Sequence, residues 1–286
     1  MTLTVSTYTS NQPLDILCSR ITKSRFSKKQ IKSIESSSVG SPLEINEQSK
    51  GCPSGRVPIQ RSKSNHQFTQ DFPGQHFATI DTTKSTTFHG AQVTIAINRP
   101  PVSSDQYSMA QVWVQSGPAA ELNVIQAGWA ADGFKSAGCY NVQCPGFVQV
   151  DPTYRPGESF QNISIPRGIQ YLFDVLIIQE LFNHLGDGAA VVRYGGTTSA
   201  ATDTGLSPQM GTGSLPNRDY TTGVGFFIRN KIMGSDFVMN DILLKEMAKN
   251  VDSPAACYDL GYYGFVSTDV RETFSYGGPG GASCGT

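Results

Sequence analysis

The chain reads as all-β: an antiparallel β-sandwich of two large sheets with one or two short surface helices. Three observations carry this expectation. Charged residues make up only 16% of the 286, and glycine is plentiful at 29 residues, a profile that suits many turns and strands. From His76 onward, short runs alternate apolar and polar residues with the period of two that a half-buried strand needs. Turn residues punctuate those runs, at Pro100-Pro101, Gly117-Pro118, Gly195-Gly196 and Gly277-Gly278-Pro279-Gly280.

Taken in order, residues 1–75 are polar and poor in aromatics, with Ser36-Ser37-Ser38 and Ser41-Pro42 marking a linker-like stretch. They are expected to form a leader, and residues 76–286 the sandwich. Strands are predicted over 77–80, 91–97, 108–116, 122–129, 147–150, 189–194, 224–231, 262–267 and 274–276. Within 108–116, Met109, Gln111, Trp113 and Gln115 share one face. Two segments break the pattern: 180–185 reads as a short helix, and 240–249 places Ile242, Leu243 and Met247 at helical spacing.

The net charge of −1 hides an asymmetry. Residues 1–63 hold ten Lys/Arg against four Asp/Glu, leaving twelve against nineteen for the rest. No aromatics interleave with the basic residues as nucleic-acid stacking requires, so a solvated leader is expected and no nucleic-acid partner. No run has the length of a membrane-spanning helix.

Six cysteines stand at 18, 52, 139, 144, 257 and 284. His66, His76, His89 and His184 show no ligand spacing, so no metal or other cofactor is expected. Two disulfides are the better reading, Cys139–Cys144 around a tight loop and Cys257–Cys284 stapling the C-terminal strand; Cys18 and Cys52 stay unassigned. Asn162-Ile163-Ser164 is a glycosylation sequon. The first thirty residues lack the apolar stretch of a secretory signal, but disulfides and sequon together favour an oxidising compartment.

One stretch is more specific than the rest: Glu121-Leu122-Asn123-Val124-Ile125-Gln126-Ala127-Gly128-Trp129, followed by Gly138-Cys139-Tyr140 and Cys144-Pro145-Gly146-Phe147. It resembles the core of the neprosin family, plant secreted glutamic peptidases, whose strand reads L-N-x-I-E-A-G-W. Gln111-Val112-Trp113-Val114, Tyr194-Gly195-Gly196, Met210-Gly211-Thr212-Gly213 and Tyr276-Gly277-Gly278-Pro279-Gly280 are similar to family signatures in the family's order. Gly51-Cys52-Pro53 to Arg61 is similar to part of its activation segment. The resemblance implies a sandwich of two seven-stranded sheets with the active site on a concave face, a secreted or vacuolar setting, a peptide or protein ligand, and a monomer.

It also implies a chemistry. In the family, two glutamates on neighbouring strands face each other across the groove, one a general base on water and the other a general acid, cleaving after proline. Here those positions hold Gln126 and Thr197. An amide has no proton to exchange at accessible pH, and a threonine hydroxyl is a poor base. Losing one acid–base group typically costs about 10²–10⁴ in rate, so catalytic impairment is expected. Trp113, Trp129 and Tyr194 are expected to line the groove, with Tyr140 and Phe147 as further candidates. No carboxylate among Glu121, Asp132, Glu180 and Asp187 has a sequence relation that would place it there. The family's tryptophan-rich stretch is also missing after Ile178, which should open a sheet edge. Two alternatives stand beside this reading: an active acid peptidase using another carboxylate, and a carbohydrate- or cell-wall-binding sandwich.

Overall fold

Alternation along each strand sorts the side chains onto two faces, and burial shows which face is the core. In the computed structural model, which describes residues 2–8 (backbone only), 74–117, 123–131, 159–178, 188–201, 204–216 and 223–284, the strands assemble into two antiparallel sheets. They are β1 Thr2–Tyr8, β2 Gln75–Thr82, β3 Gly90–Ala96, β4 Tyr107–Ser116, β5 Asn123–Ala131, β6 Leu172–Ile178, β7 Val191–Ser199, β8 Gly225–Met233, β9 Met239–Asp241, β10 Met247–Val251, β11 Asp259–Phe265 and β12 Glu272–Gly277. The first sheet runs β1-β5-β4-β7-β2-β10. The second runs β11-β12-β8-β3-β6, with β9 added on β8.

The core lies between them. Ala78 and Ile80, Ala110, Val112 and Val114, Ile125, Ala127 and Trp129, and Val192 and Tyr194 come from the first sheet. Val93, Ile95, Phe173, Val175, Phe227, Phe274 and Tyr276 meet them from the second. Phe227 stacks on Phe274 with centroids 4.7 Å apart and meets Tyr276 edge-on at 5.1 Å, arrangements that add to area burial. Cys257 and Cys284 form the expected disulfide.

The expected all-β sandwich is therefore observed, with differences in detail. Each sheet has six strands among the described residues, against the seven that the resemblance implied. The helix expected over 240–249 is absent: the segment is β9, a single 3₁₀ turn at Leu244–Glu246, and β10. Its apolar spacing does not make a buried face, since Ile242 is buried while Leu243 and Leu244 are exposed. Met247–Val251 pairs along β2 instead, so the backbone groups on the side facing β2 have ladder partners. Thr2–Tyr8, inside the expected leader, pairs along β5 as an edge strand. Among the described residues, β6 pairs with β3 and is the last strand of the second sheet. The short helix at 180–185, the strand at 147–150 and the Cys139–Cys144 loop lie outside the described residues. No described helix is long and apolar enough to cross a membrane.

Candidate active site

The face of the first sheet turned away from the core carries the residues of interest. Parity places Gln75, Phe77, Thr79 and Asp81 of β2 there, with Arg193, Gly195, Thr197 and Ser199 of β7, Tyr107, Met109, Gln111, Trp113 and Gln115 of β4, and Val124, Gln126 and Gly128 of β5. Strand register arranges them in rows. One row reads Asp81–Arg193–Trp113–Gln126, with the backbone of Ser6 opposite Gln126. The next is Thr79–Gly195–Gln111–Gly128, and the one beyond it Phe77–Thr197–Met109–Ala130.

The middle row is a furrow in the side-chain layer of the sheet, because two of its four members are glycines, and all four members are buried. Their absence of side chains is forced by packing. A Cβ at Gly128 would stand 1.9 Å from the Ala110 carbonyl oxygen, and one at Gly195, whose φ is +149°, 2.3 Å from that of Ala78. Gln111 forms the floor at 1% exposure. Gln126 and Thr197 thus stand on opposite walls of the furrow, on one face of one sheet. They are not on neighbouring strands as expected, since β4 intervenes. Two strand spacings of about 4.8 Å and four residues of about 3.3 Å separate their Cα atoms by roughly 16 Å in a flat sheet.

Of the expected groove residues, Trp113 lies on this face, opposite both Gln126 and Arg193. Trp129 and Tyr194 do not. Trp129 is three residues from Gln126, and Tyr194 three from Thr197, so an odd step sends each to the core. Both are fully buried there, the Trp129 indole N–H donating to the Ala96 carbonyl at 2.9 Å and the Tyr194 hydroxyl to the Lys231 carbonyl at 2.7 Å. Burial pushes the Tyr194 phenol well above its ordinary pKa, with Tyr262 nearby adding to the shift, so it is no proton donor. Tyr140, Phe147, Cys139, Cys144, Glu121, Asp132, Glu180 and Asp187 lie outside the described residues. Asn162 is half-buried, and its sequon partner Ser164 spends its hydroxyl on the backbone of Tyr171, donating to the carbonyl and accepting from the N–H at 3.0 Å each.

Thr197 is 4% exposed. Its hydroxyl lies 3.5 Å from the Gln75 side-chain amide, which also donates to the Tyr107 hydroxyl at 2.7 Å. These are amide and phenol neighbours, and neither can take a proton from the threonine. On the same face, two residues that sequence reasoning passed over supply charge. Asp81 binds Arg193 through both carboxylate oxygens. Asp81 was missed because β2 extends beyond the predicted 77–80, and the signal for Arg193 was a charged residue in mid-strand. At the sheet edge, Asp252 accepts the Phe77 backbone N–H at 2.8 Å.

A described carboxyl with a raised pKa lies elsewhere. Glu272, on β12 of the other sheet, is 7% exposed, and burial raises its pKa against the lowering effect of the hydrogen bond from Tyr262 at 2.6 Å. Asp241, which Arg271 grips bidentately, raises it further.

A family model, Neprosin, matches residues 104–181 and 178–279, from just before β4 to just past β12 and more than half of the chain. The chain belongs to the neprosin family. The two matched segments overlap at 178–181.

Proposed function

We propose that this neprosin-family domain binds extended peptide across the furrow between Gln126 and Thr197, and that peptide-bond hydrolysis is severely impaired. The observation that carries the reading is the chemistry of the two walls. An amide stands on one, and a threonine beside the Gln75 amide on the other, so neither wall position itself supplies the base that activates water or the acid that protonates the leaving amine. Asp81 does not replace them. Both of its carboxylate oxygens are already engaged by the Arg193 guanidinium.

The test is direct. Acid-treated protein is incubated with a proline-containing peptide at pH 3–7 and the products read by mass spectrometry. No turnover is expected from the natural sequence, and Gln126→Glu combined with Thr197→Glu is expected to create cleavage. Turnover by the natural sequence that Gln126→Ala abolishes would overturn the reading in favour of an active enzyme with another carboxylate.

A further inference from the structure

Glutamate-pair chemistry does not use the charged pair in the Gln126 row. Arg193 projects from the middle of β7, directly opposite Trp113, which is directly opposite Gln126. Its Nε donates to Asp81 Oδ1 and Oδ2 at 2.9 and 3.0 Å, and its Nη2 to Oδ2 at 2.6 Å. The guanidinium carbon lies 5.3 Å from the centre of the Phe77 ring, and the Thr79 hydroxyl donates to Asp81 Oδ1 at 2.9 Å. Phe77 belongs to the row beyond that of Gly195, so Arg193 reaches past Gly195, which has no side chain of its own.

Three consequences follow. The guanidinium is held from one edge and one face, so little side-chain entropy remains to be lost when it meets a ligand. The pair keeps about a fifth of its side-chain surface open, and Nη1 has no acceptor among the described residues. Finally, Asp81 cancels the charge. A bare arginine prefers a carboxylate, but a second carboxylate at Nη1 would face Asp81 as well as Arg193, whereas a neutral carbonyl would not.

We infer that the Asp81–Arg193 pair is a specificity-determining element that donates to a neutral main-chain carbonyl of a bound peptide and disfavours a free carboxylate. The groove then takes internal stretches of polypeptide in preference to C-terminal ends. This deepens the peptide-groove reading and rests on it.

Two N-terminally fluorescein-labelled pentapeptides of one proline-containing sequence, one ending in an amide and one in a free acid, test it by fluorescence anisotropy. The natural protein should bind the amide several-fold more tightly. Arg193→Met should weaken amide binding roughly tenfold or more, the usual effect of losing a hydrogen bond from a charged donor. Arg193→Lys should not restore it, because an ammonium cannot span Asp81 and the ligand. Asp81→Asn should unmask the guanidinium and invert the preference toward the free acid. A pair that merely braces the sheet would change the melting temperature and leave the amide-to-acid ratio alone. An unmoved ratio in folded Asp81→Asn, or a free-acid preference in the natural protein, overturns the inference while the groove reading stands. Absence of binding by either peptide removes both.

Discussion

Removing the Cys257–Cys284 bridge is a perturbation whose size the structure sets. The bridge joins the turn before β11 to the segment after β12, with a sequence separation of 27 and Cα atoms 5.6 Å apart. Both strands of that hairpin lie inside the closed loop. Chain-entropy reasoning for a loop of this length gives about 3.5 kcal/mol at 25 °C. Both cysteines are buried, so the double variant Cys257→Ala/Cys284→Ala adds no unsatisfied polar group. Urea unfolding followed by tryptophan fluorescence suits the measurement. The two tryptophans, Trp113 and Trp129, sit on β4 and β5 in the first sheet, so they report on the whole sandwich. A loss of about 3–4 kcal/mol is expected, with a steeper urea slope because the denatured chain without the crosslink exposes more surface. A loss below about 1 kcal/mol would refute the reasoning: the hairpin and its backbone bonds from Gly278 to Met210 and Gly281 to Ser207 would then open separately from the sheet the tryptophans report.

Three further outcomes can be measured. The folded state keeps the Glu272 proton at a pH where the unfolded chain has released it, so this residue's contribution to stability falls as pH rises from the ordinary glutamate range through its raised value. Glu272→Gln should remove that decline, so its stability relative to the natural protein should be higher at pH 7 than at pH 4; equal differences at both would reject the assignment. At Gly196 a Cβ would lie 2.7 Å from Met210 Sδ and from two carbons of the Tyr276 ring, so Gly196→Ala should cost about 1–3 kcal/mol by overpacking, read in chemical denaturation. Trp129→Phe strips the Ala96 carbonyl of its indole donor and leaves space in the core, and should cost about 2–4 kcal/mol in the same assay.

How far the sequence foretold this depends on what each segment's neighbours do. Strands with clean alternation, such as 108–116 and 122–129, fell within a residue or two of β4 and β5, because one face meets a core and the pattern records it. The 240–249 segment was misread because three apolar residues at helical spacing carry little information, and the open edge of β2 decided its conformation. β6, with the sequence Leu-Phe-Asp-Val-Leu-Ile-Ile, is too uniformly apolar to separate strand from buried helix by period alone. At the site, Trp129 and Tyr194 were expected in the groove, although parity counting from Gln126 and Thr197 sends both to the core. The Asp81–Arg193 pair was not legible: the two are 112 positions apart in sequence, and only the β2–β7 register brings them together.

That division bears on the proposal that the family pattern is plain in a chain whose two glutamate positions hold other residues. The residues that carry the resemblance answer mostly to packing. Gly128 and Gly195 lie where a Cβ would strike the neighbouring strand, Gly196 where it would strike Met210 and Tyr276, and Gly278 where it would come within 1.9 Å of the Cys257 carbonyl oxygen. Trp129 and Tyr276 fill the core with no exposed surface. Replacing any of these costs folding stability whether or not a peptide is ever cleaved. Gln126 and Thr197 belong to another class. Each points away from the core on a face whose strands are already paired, so an exchange there leaves the ladder and the interior core contacts in place. The sandwich, the furrow and the matched motifs can therefore persist with amide and hydroxyl on the two walls. By the same reasoning, placing a glutamate at both positions should change activity far more than stability. If Gln126→Glu/Thr197→Glu folded with a melting temperature within a few degrees of the natural protein and gained peptide cleavage, scaffold and acid–base chemistry would be shown to be separable. A collapse in stability would instead place the two positions among the residues that hold the sheet together.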